Sequence, residues 1–299
     1  MVTFLTSIRH PQNSNNFARV EALFEISLRS VCSQTDPNFT VVVVANDIPR
    51  INFRDSRVTY HVVDFPCPDP RRPATTNIRS LVRDKGTKLI AGMLAARRFN
   101  PDYFAIFDAD DVVSRRIVRF VHTHSSESGW YVNSGNVVNT KTWTIQRKTG
   151  LYRYCGSTLV PNAPQLLRLA RIDDSVNADI GQEQIVSLSS PEFVDHVIGN
   201  HPYMVGYFAS HGLRMRPLPF RAACWMLETG ENYSRGLGAA YGIPISEEIC
   251  REFGITGAPP NNRRASLAER VHEHLGAAVS SFGALRHRLW SGFPLPPSD

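Results

Sequence analysis

An α/β fold built on a mixed, mainly parallel sheet flanked by helices is predicted by three observations. Strand-like and helix-like segments alternate through the first half, the second strand-like run is apolar almost end to end, and an acidic cluster closes the fourth. The first run, VTFLTSI (2–8), is short and rich in β-branched residues, as strands are. In 17–35, Val20, Leu23, Phe24, Ser27, Leu28 and Val31 recur at three and four residues and mark an amphipathic helix, which Asp36-Pro37-Asn38 ends. FTVVVVAND (39–47) then reads as a strand covered on both faces, the pattern of a parallel sheet, so strand, helix and strand make a right-handed βαβ unit.

Residues 58–65 give a third strand, and 79–99 a helix with Leu81, Leu89, Met93 and Ala96 turned inward. YFAIFDADD (103–111) is the next strand, and its carboxylates fall at the carboxyl end, where open α/β sheets bind ligands. Helical spacing returns over 114–124 through Ile117, Val118 and Val121. Polar-flanked strands around 129–135 and 136–141, with a hairpin-like passage over 142–154, predict antiparallel pairing and hence a mixed sheet. A helix begins in IGQEQIVSLSS (180–190), the chain after Pro244 reads as helical or loosely packed, and GAPPNNR (257–263) resembles a linker.

With 299 residues the chain is long enough for one large α/β domain with a C-terminal tail, and 42% hydrophobic with 20% charged residues is ordinary for a globular protein. The first residues lack the basic start and apolar run of a signal peptide, and no stretch reaches the roughly 18 apolar residues of a bilayer span. Five cysteines without paired spacing argue against a zinc knuckle or a disulfide framework and for a reducing cytoplasm. A net charge of +6 suits an anionic partner. The arginines are dispersed, without a lysine block or interleaved aromatics, which points away from nucleic acid and toward a nucleotide or the acidic inner face of a membrane. Arg71, Arg72, Arg79, Arg83 and Lys85 form the densest basic run before the carboxylates, and Arg264, Arg270, Arg286 and Arg288 lie in the tail.

The carboxylates carry the chemistry. Left ionised and uncompensated in a partly dry site, neighbouring aspartates cost several kcal/mol, about 2–7 for each poorly satisfied polar group. A divalent cation removes that cost, and Mn²⁺ or Mg²⁺ is commonly held by one or two carboxylates together with substrate phosphates. Residues two apart in a strand point the same way, so Asp108 and Asp110 are expected to share a target while Asp111 turns elsewhere. Asp111 then caps the helix expected from Ser114 or orients a ligand from behind.

SLRSVCSQTDPNFTVVVVAND and KGTKLIAGMLAARRFNPDYFAIFDADD together resemble the nucleotide-sugar-binding half of GT-A fold glycosyltransferases, especially the large inverting family typified by bacterial polysaccharide synthases. Within that group the chain is most similar to bacterial proteins described as rhamnosyltransferases, sharing the SL-x-S and QT opening, the D-x-D-D segment and later G-x-EQ and His-Pro patterns. The resemblance implies a GT-A-like domain over residues 1–225, with a nucleotide-sugar half (1–125) and an acceptor half (126–225), before a C-terminal extension over 226–299. It implies a metal-dependent transfer from a dTDP- or UDP-linked sugar to a hydroxyl of a glycan, glycolipid or small acceptor, with inversion, in the cytoplasm or against the inner face of the cell membrane. A retaining transferase, a nucleotidyltransferase and a binding module without turnover remain open alternatives.

Carried onto this sequence, the resemblance makes Asp108 a contact to the donor ribose or the metal and Asp110 the principal metal ligand. Asp47 would meet the base and Thr6, with Ser7, would line the same pocket; Asn46 stands where common members carry a first aspartate, so base recognition differs here. Arg79, Arg83 and Lys88 would supply charge to the diphosphate, and the flat fork of Arg83 suits phosphate oxygens best. Glu183, at the start of a helix, matches the catalytic base, with Asp179 as the competing base or the helix cap; simple stabilisation of the helix end also accounts for Glu183. Of His196, His201 and His211, His201 is the candidate third metal ligand. Trp143, Tyr152, Tyr154 and Trp225 would either stack on a sugar or pack in the core.

Overall fold

The computed structural model describes residues 1–69, 78–124, 126, 128–232 and 242–256. Its first half runs β1 (Val2–Ser7), α1 (Phe17–Cys32), β2 (Phe39–Ala45), β3 (Val58–Val62), α2 (Ile78–Ala96) and β4 (Tyr103–Ile106). β1 pairs in parallel with β2 on one side and β4 on the other, and β2 pairs in parallel with β3. Alternation along β1 assigns its two faces. Phe4 packs with Phe24 and Leu28 of α1, while Leu5 packs with Leu89 and Ile90 of α2. The α1 stripe expected from the sequence is the buried one, and the Asn16 side chain caps the helix by accepting from the Arg19 amide at 3.2 Å.

The chain continues through β5 (Val112–Val113), α3 (Ile117–Thr123), β6 (Gly129–Tyr131), β7 (Ser134–Asn139), β8 (Thr144–Thr149), β9 (Leu159–Pro161), α4 (Ala163–Leu169) and α5 (Gln182–Ser189). A π-helical turn (Phe193–Ile198) and a 3-10 turn (His201–Tyr203) lead into α6 (Met204–Ser210), β10 (Arg216–Pro217), β11 (Ala223–Leu227), β12 (Ile243–Pro244) and α7 (Glu247–Phe253). Among the described residues the main sheet has the order β10-β6-β9-β4-β1-β2-β3, with β9 antiparallel to β4 and to β6. A second sheet has the order β12-β8-β7-β11-β5. The predicted mixed, mainly parallel sheet with flanking helices is therefore observed.

Three boundaries differ from the sequence reading. The strand expected over 103–111 ends at Ile106, because the carboxylates that follow form a turn closed by the Asp111 amide on the Asp108 carbonyl at 3.2 Å. The helix expected from Ser114 starts at Ile117; Ser114 instead donates its hydroxyl to Glu252. The boundary expected after Trp225 falls inside β11, a strand flanked by β7 and β5, and Phe253 of α7 is buried with Val112 and Met226. Arg71, Arg72, the 257–263 segment and the tail arginines Arg264, Arg270, Arg286 and Arg288 lie outside the described residues. No helix among the described residues is long and apolar enough to cross a membrane.

From β1 the chain leaves through α1 to β2, while β4, the other neighbour of β1, arrives through α2 from β3. The connections thus diverge between β1 and β4. A crevice at the carboxyl ends of two such strands is where open α/β sheets take their ligands.

Candidate functional site

A cleft of about 290 Å³ opens at that point. Ser7 and Arg9 follow β1 into it, Asp84 and Lys85 reach it from α2, Asp108, Ala109, Asp110 and Asp111 follow β4, and Asn200 and His201 close one side. Tyr154, Trp225, Glu231 and Asn232 complete the far wall. The placement of His201 depends on two glycines. A Cβ on Gly86 would stand 2.5 Å from the Val194 carbonyl oxygen and one on Gly199 2.2 Å from that of Val82, so α2 and the π-helical turn meet backbone to backbone.

Each aspartate of the turn is held differently. Asp108 accepts the Lys85 ammonium on Oδ1, and its own amide donates to Ser157 Oγ at 2.8 Å. Burial opposes ionisation of both members of this pair, but their mutual attraction outweighs it, holding the Asp108 carboxyl below its usual range and the Lys85 ammonium above. Asp110 accepts Asn232 Nδ2 at 3.2 Å and forms no ion pair among the described residues. Burial, then the neighbouring Asp108 charge, pushes its carboxyl up to about 6. Asp111, 2% exposed, takes the Met226 amide on Oδ1 at 2.9 Å and, on Oδ2, Ser157 Oγ at 2.8 Å and Cys155 Sγ at 3.1 Å. Burial and the two acidic neighbours raise its carboxyl far above the usual range. It does not cap a helix; it lines the cleft and ties the turn to β11.

The remaining cleft carboxylates are paired. Glu231 accepts Arg9 at 3.1 Å and the amides of Asn15 and Asn16 at 3.2 and 2.8 Å. Asp84 accepts Lys88 Nζ at 2.9 Å, with its Oδ1 buried and without a hydrogen-bond partner among the described residues. Burial and then the Lys85 charge lower the His201 imidazole to about 3, so it is neutral, and its Nε2 is buried without a hydrogen-bond partner among the described residues. Tyr154 and Trp225 stack at 6.2 Å and 27° on the cleft wall.

The structure thus brings Asp108, Asp110 and His201 to one cleft, with Tyr154 and Trp225. It does not bring the other expected residues there. Lys88 is fully buried and donates to Asp84 and to the Ile8 carbonyl, so its charge is answered inside the protein. Arg83 forks onto Asp195 at 3.1 and 2.7 Å, and Arg79 sits exposed in the first turn of α2. Thr6 is buried beneath the floor, and Ser7 takes the lining position. Asp47 is exposed past the end of β2, outside the lining.

Glu183 is exposed in the first turn of α5, and Gly181 rather than Asp179 is the N-cap, its amide bonded to Gln184 Oε1 at 2.9 Å. Asp179 belongs to a separate depression beside Thr59, His61 and Arg97. His196, His211, Trp143 and Tyr152 are not in the cleft lining. Sequence reasoning missed Lys85, Arg9, Glu231 and Asn232 as cleft residues. Lys85 alone had a local signal, its place in the basic run on the helix before the carboxylates.

Two carboxylates and a neutral imidazole with a free nitrogen are a donor set that suits Mn²⁺ or Mg²⁺. The described residues hold no cluster of three such side chains close enough to enclose an ion by themselves.

No protein-family model and no curated protein matches the sequence. Among solved structures the chain is similar to S. aureus TarS, with a TM-score of 0.39 and 9% identity over 76% of this chain and 36% of that one. It is also similar to S. aureus TarS 1-349 in complex with UDP-GlcNAc (TM-score 0.37, 10% identity, 94% and 71% covered). A third likeness is to the bifunctional IspDF from Campylobacter jejuni (TM-score 0.34, 8% identity, 87% and 55% covered). The chain spans little more than a third of the first of these proteins, and likenesses this distant assign it no activity.

Proposed function

We propose that the cleft binds a nucleoside-diphosphate sugar with Mn²⁺ or Mg²⁺ and that the chain passes the sugar to a hydroxyl of a glycan, glycolipid or small acceptor. One observation carries this reading. At the strand ends between β1 and β4, Asp84, Asp108 and Glu231 each have a basic partner and Asp111 has three neutral donors, whereas Asp110 forms no ion pair among the described residues. A bound cation would compensate a carboxylate in that condition and restore its ionised form.

Asp110 would hold the cation, with Asp108 and the free Nε2 of His201 beside it. Once bound, the cation neutralises charge that develops on the departing diphosphate. Arg9 and Ser7 line the β1 side, where the nucleotide would lie, and Tyr154 and Trp225 line the far wall, where a sugar would pack. For an inverting transfer a carboxylate must take the acceptor proton on the face opposite the leaving group. Glu183 is the candidate for that role; it stands in the first turn of α5, outside the cleft lining, so the acceptor would have to reach it there. The donors to test are dTDP- and UDP-linked sugars, a rhamnosyl donor among them.

The test is a panel of these donors with and without Mn²⁺, read by release of nucleoside diphosphate and by protection against thermal unfolding. Cation-dependent protection and release of intact nucleoside diphosphate are expected. Protection by no donor would overturn the reading, and release of pyrophosphate would make the protein a nucleotidyltransferase instead.

A further inference from the structure

We propose that Lys85 is a built-in counter-ion that a divalent cation displaces: before ligand binds it neutralises Asp108, and when the cation takes Asp108 and Asp110 the ammonium passes to the diphosphate of the nucleotide. The inference rests on the cleft being a nucleoside-diphosphate site.

The two lysines of α2 show why Lys85 is suited to move. Lys88 is enclosed, with no exposed side-chain surface, and donates to two oxygens. Lys85 stands at the cleft wall with its side chain 24% exposed, and its recorded partner is Asp108 Oδ1. Its ammonium sits on a flexible four-carbon stem. Asp108 is the fixed member of the pair. Its amide is bonded to Ser157 and its carboxylate to the Gly156 amide, and a Cβ on Gly156 would stand only 2.3 Å from Oδ2. A divalent cation on Asp108 repels an ammonium on the same carboxylate, and a diphosphate beside that cation attracts it. The carboxylate is held and the lysine is tethered only by its stem, so the lysine yields.

This gives Lys85 two effects of opposite sign. Toward a metal alone it is a competitor, and toward metal with nucleotide it is a partner. Lys85→Met is therefore expected to bind Mn²⁺ by itself about tenfold more tightly than the natural chain, the scale of removing a like charge from a few ångströms away. The same variant should bind UDP or dTDP in saturating Mn²⁺ about 10- to 100-fold more weakly, the scale of one lost charge-assisted hydrogen bond. Binding of uridine or thymidine, which carry no phosphate, should be unchanged, and Lys85→Arg should restore most of the diphosphate affinity. Mn²⁺ binding is read by paramagnetic resonance of the free ion and nucleotide binding by calorimetry.

The natural chain supplies a second measurement that needs no variant to fold. Reductive methylation of Lys85, followed by mass spectrometry, should speed up with Mn²⁺ alone and slow down when UDP is added. Unchanged Mn²⁺ affinity in Lys85→Met, or Lys85 labelling indifferent to Mn²⁺, overturns the displacement. A natural chain that binds neither nucleoside diphosphate overturns the reading of the cleft and the inference with it. Equal diphosphate affinity in Lys85→Met and the natural chain overturns the inference alone.

Discussion

On the α2 wall of the cleft Asp84 is 5% exposed and sits 2.9 Å from the ammonium of Lys88, one helical turn away; on the β4 wall Asp110 is bonded to Asn232 and, among the described residues, feels the charges of Arg9 and Lys85 without forming an ion pair with either. Both carboxyls are pushed up, chiefly by burial. Lys88 then draws Asp84 down, whereas the adjacent Asp108 drives Asp110 further up. A charge answered inside the chain is architecture, and here it also anchors the end of β1, because Lys88 donates to the Ile8 carbonyl at 3.0 Å. A carboxylate in a cleft without an ion-pair partner is the feature on which the proposed cation site rests.

Substitutions on each wall can break that contrast. Asp110→Asn should lower cation-dependent transfer by about 1,000-fold or more, the several kcal/mol a bound cation supplies, while thermal stability holds or rises because one crowded negative charge has gone. Transfer at the natural rate would return Asp110 to the architectural class. Lys88→Met should behave in reverse, costing about 3–5 kcal/mol in chemical denaturation by leaving Asp84 buried without its cation. Adding Asp84→Asn to it should recover most of that loss, and failure to recover would mean that the contact with Ile8 matters more than the ion pair.

Two smaller effects sharpen the contrast. Glu183→Gln is expected to reduce transfer about 100-fold with donor affinity intact, as for a removed proton acceptor. Natural turnover in the folded variant would limit Glu183 to stabilising the α5 terminus. Gly156→Ala should weaken cation-dependent nucleotide binding about tenfold, since its methyl group would collide with Asp108 Oδ2 and tilt that carboxylate away. Calorimetry on the folded variant decides this, and unchanged affinity would show that Asp108 can shift without consequence.

The β1–α1–β2 unit was legible because burial on both sheet faces writes itself as an uninterrupted apolar run, and the α1 stripe because one helix face meets the core. The acidic turn was legible by its position after β4. Its internal geometry was not: period-two reasoning assumed a strand through Asp110, yet the strand ends at Ile106 and a turn brings both carboxylates to the cleft. On α2, Lys85 and Lys88 are equally basic, and which faces the cleft depends on a helix buried on nearly every side from Gly86 to Leu94, so no amphipathic stripe marks its rotation. Arg9 and Glu231 are 222 residues apart, a pairing that no local pattern announces.

The tether between Asp111 and the Met226 amide spans 115 residues, and the one between Asp110 and Asn232 spans 122. In the order of synthesis, β1 to β4 and both of their helices precede the residues that secure the acidic turn at its far side. The last wall, which holds Trp225, Glu231 and Asn232, arrives after roughly a hundred further residues, several seconds later at about 5–20 residues per second. A ligand of the kind proposed would therefore meet the complete cleft only after Asn232 is in place, and would stabilise the assembled walls rather than guide the folding of β1 to β4.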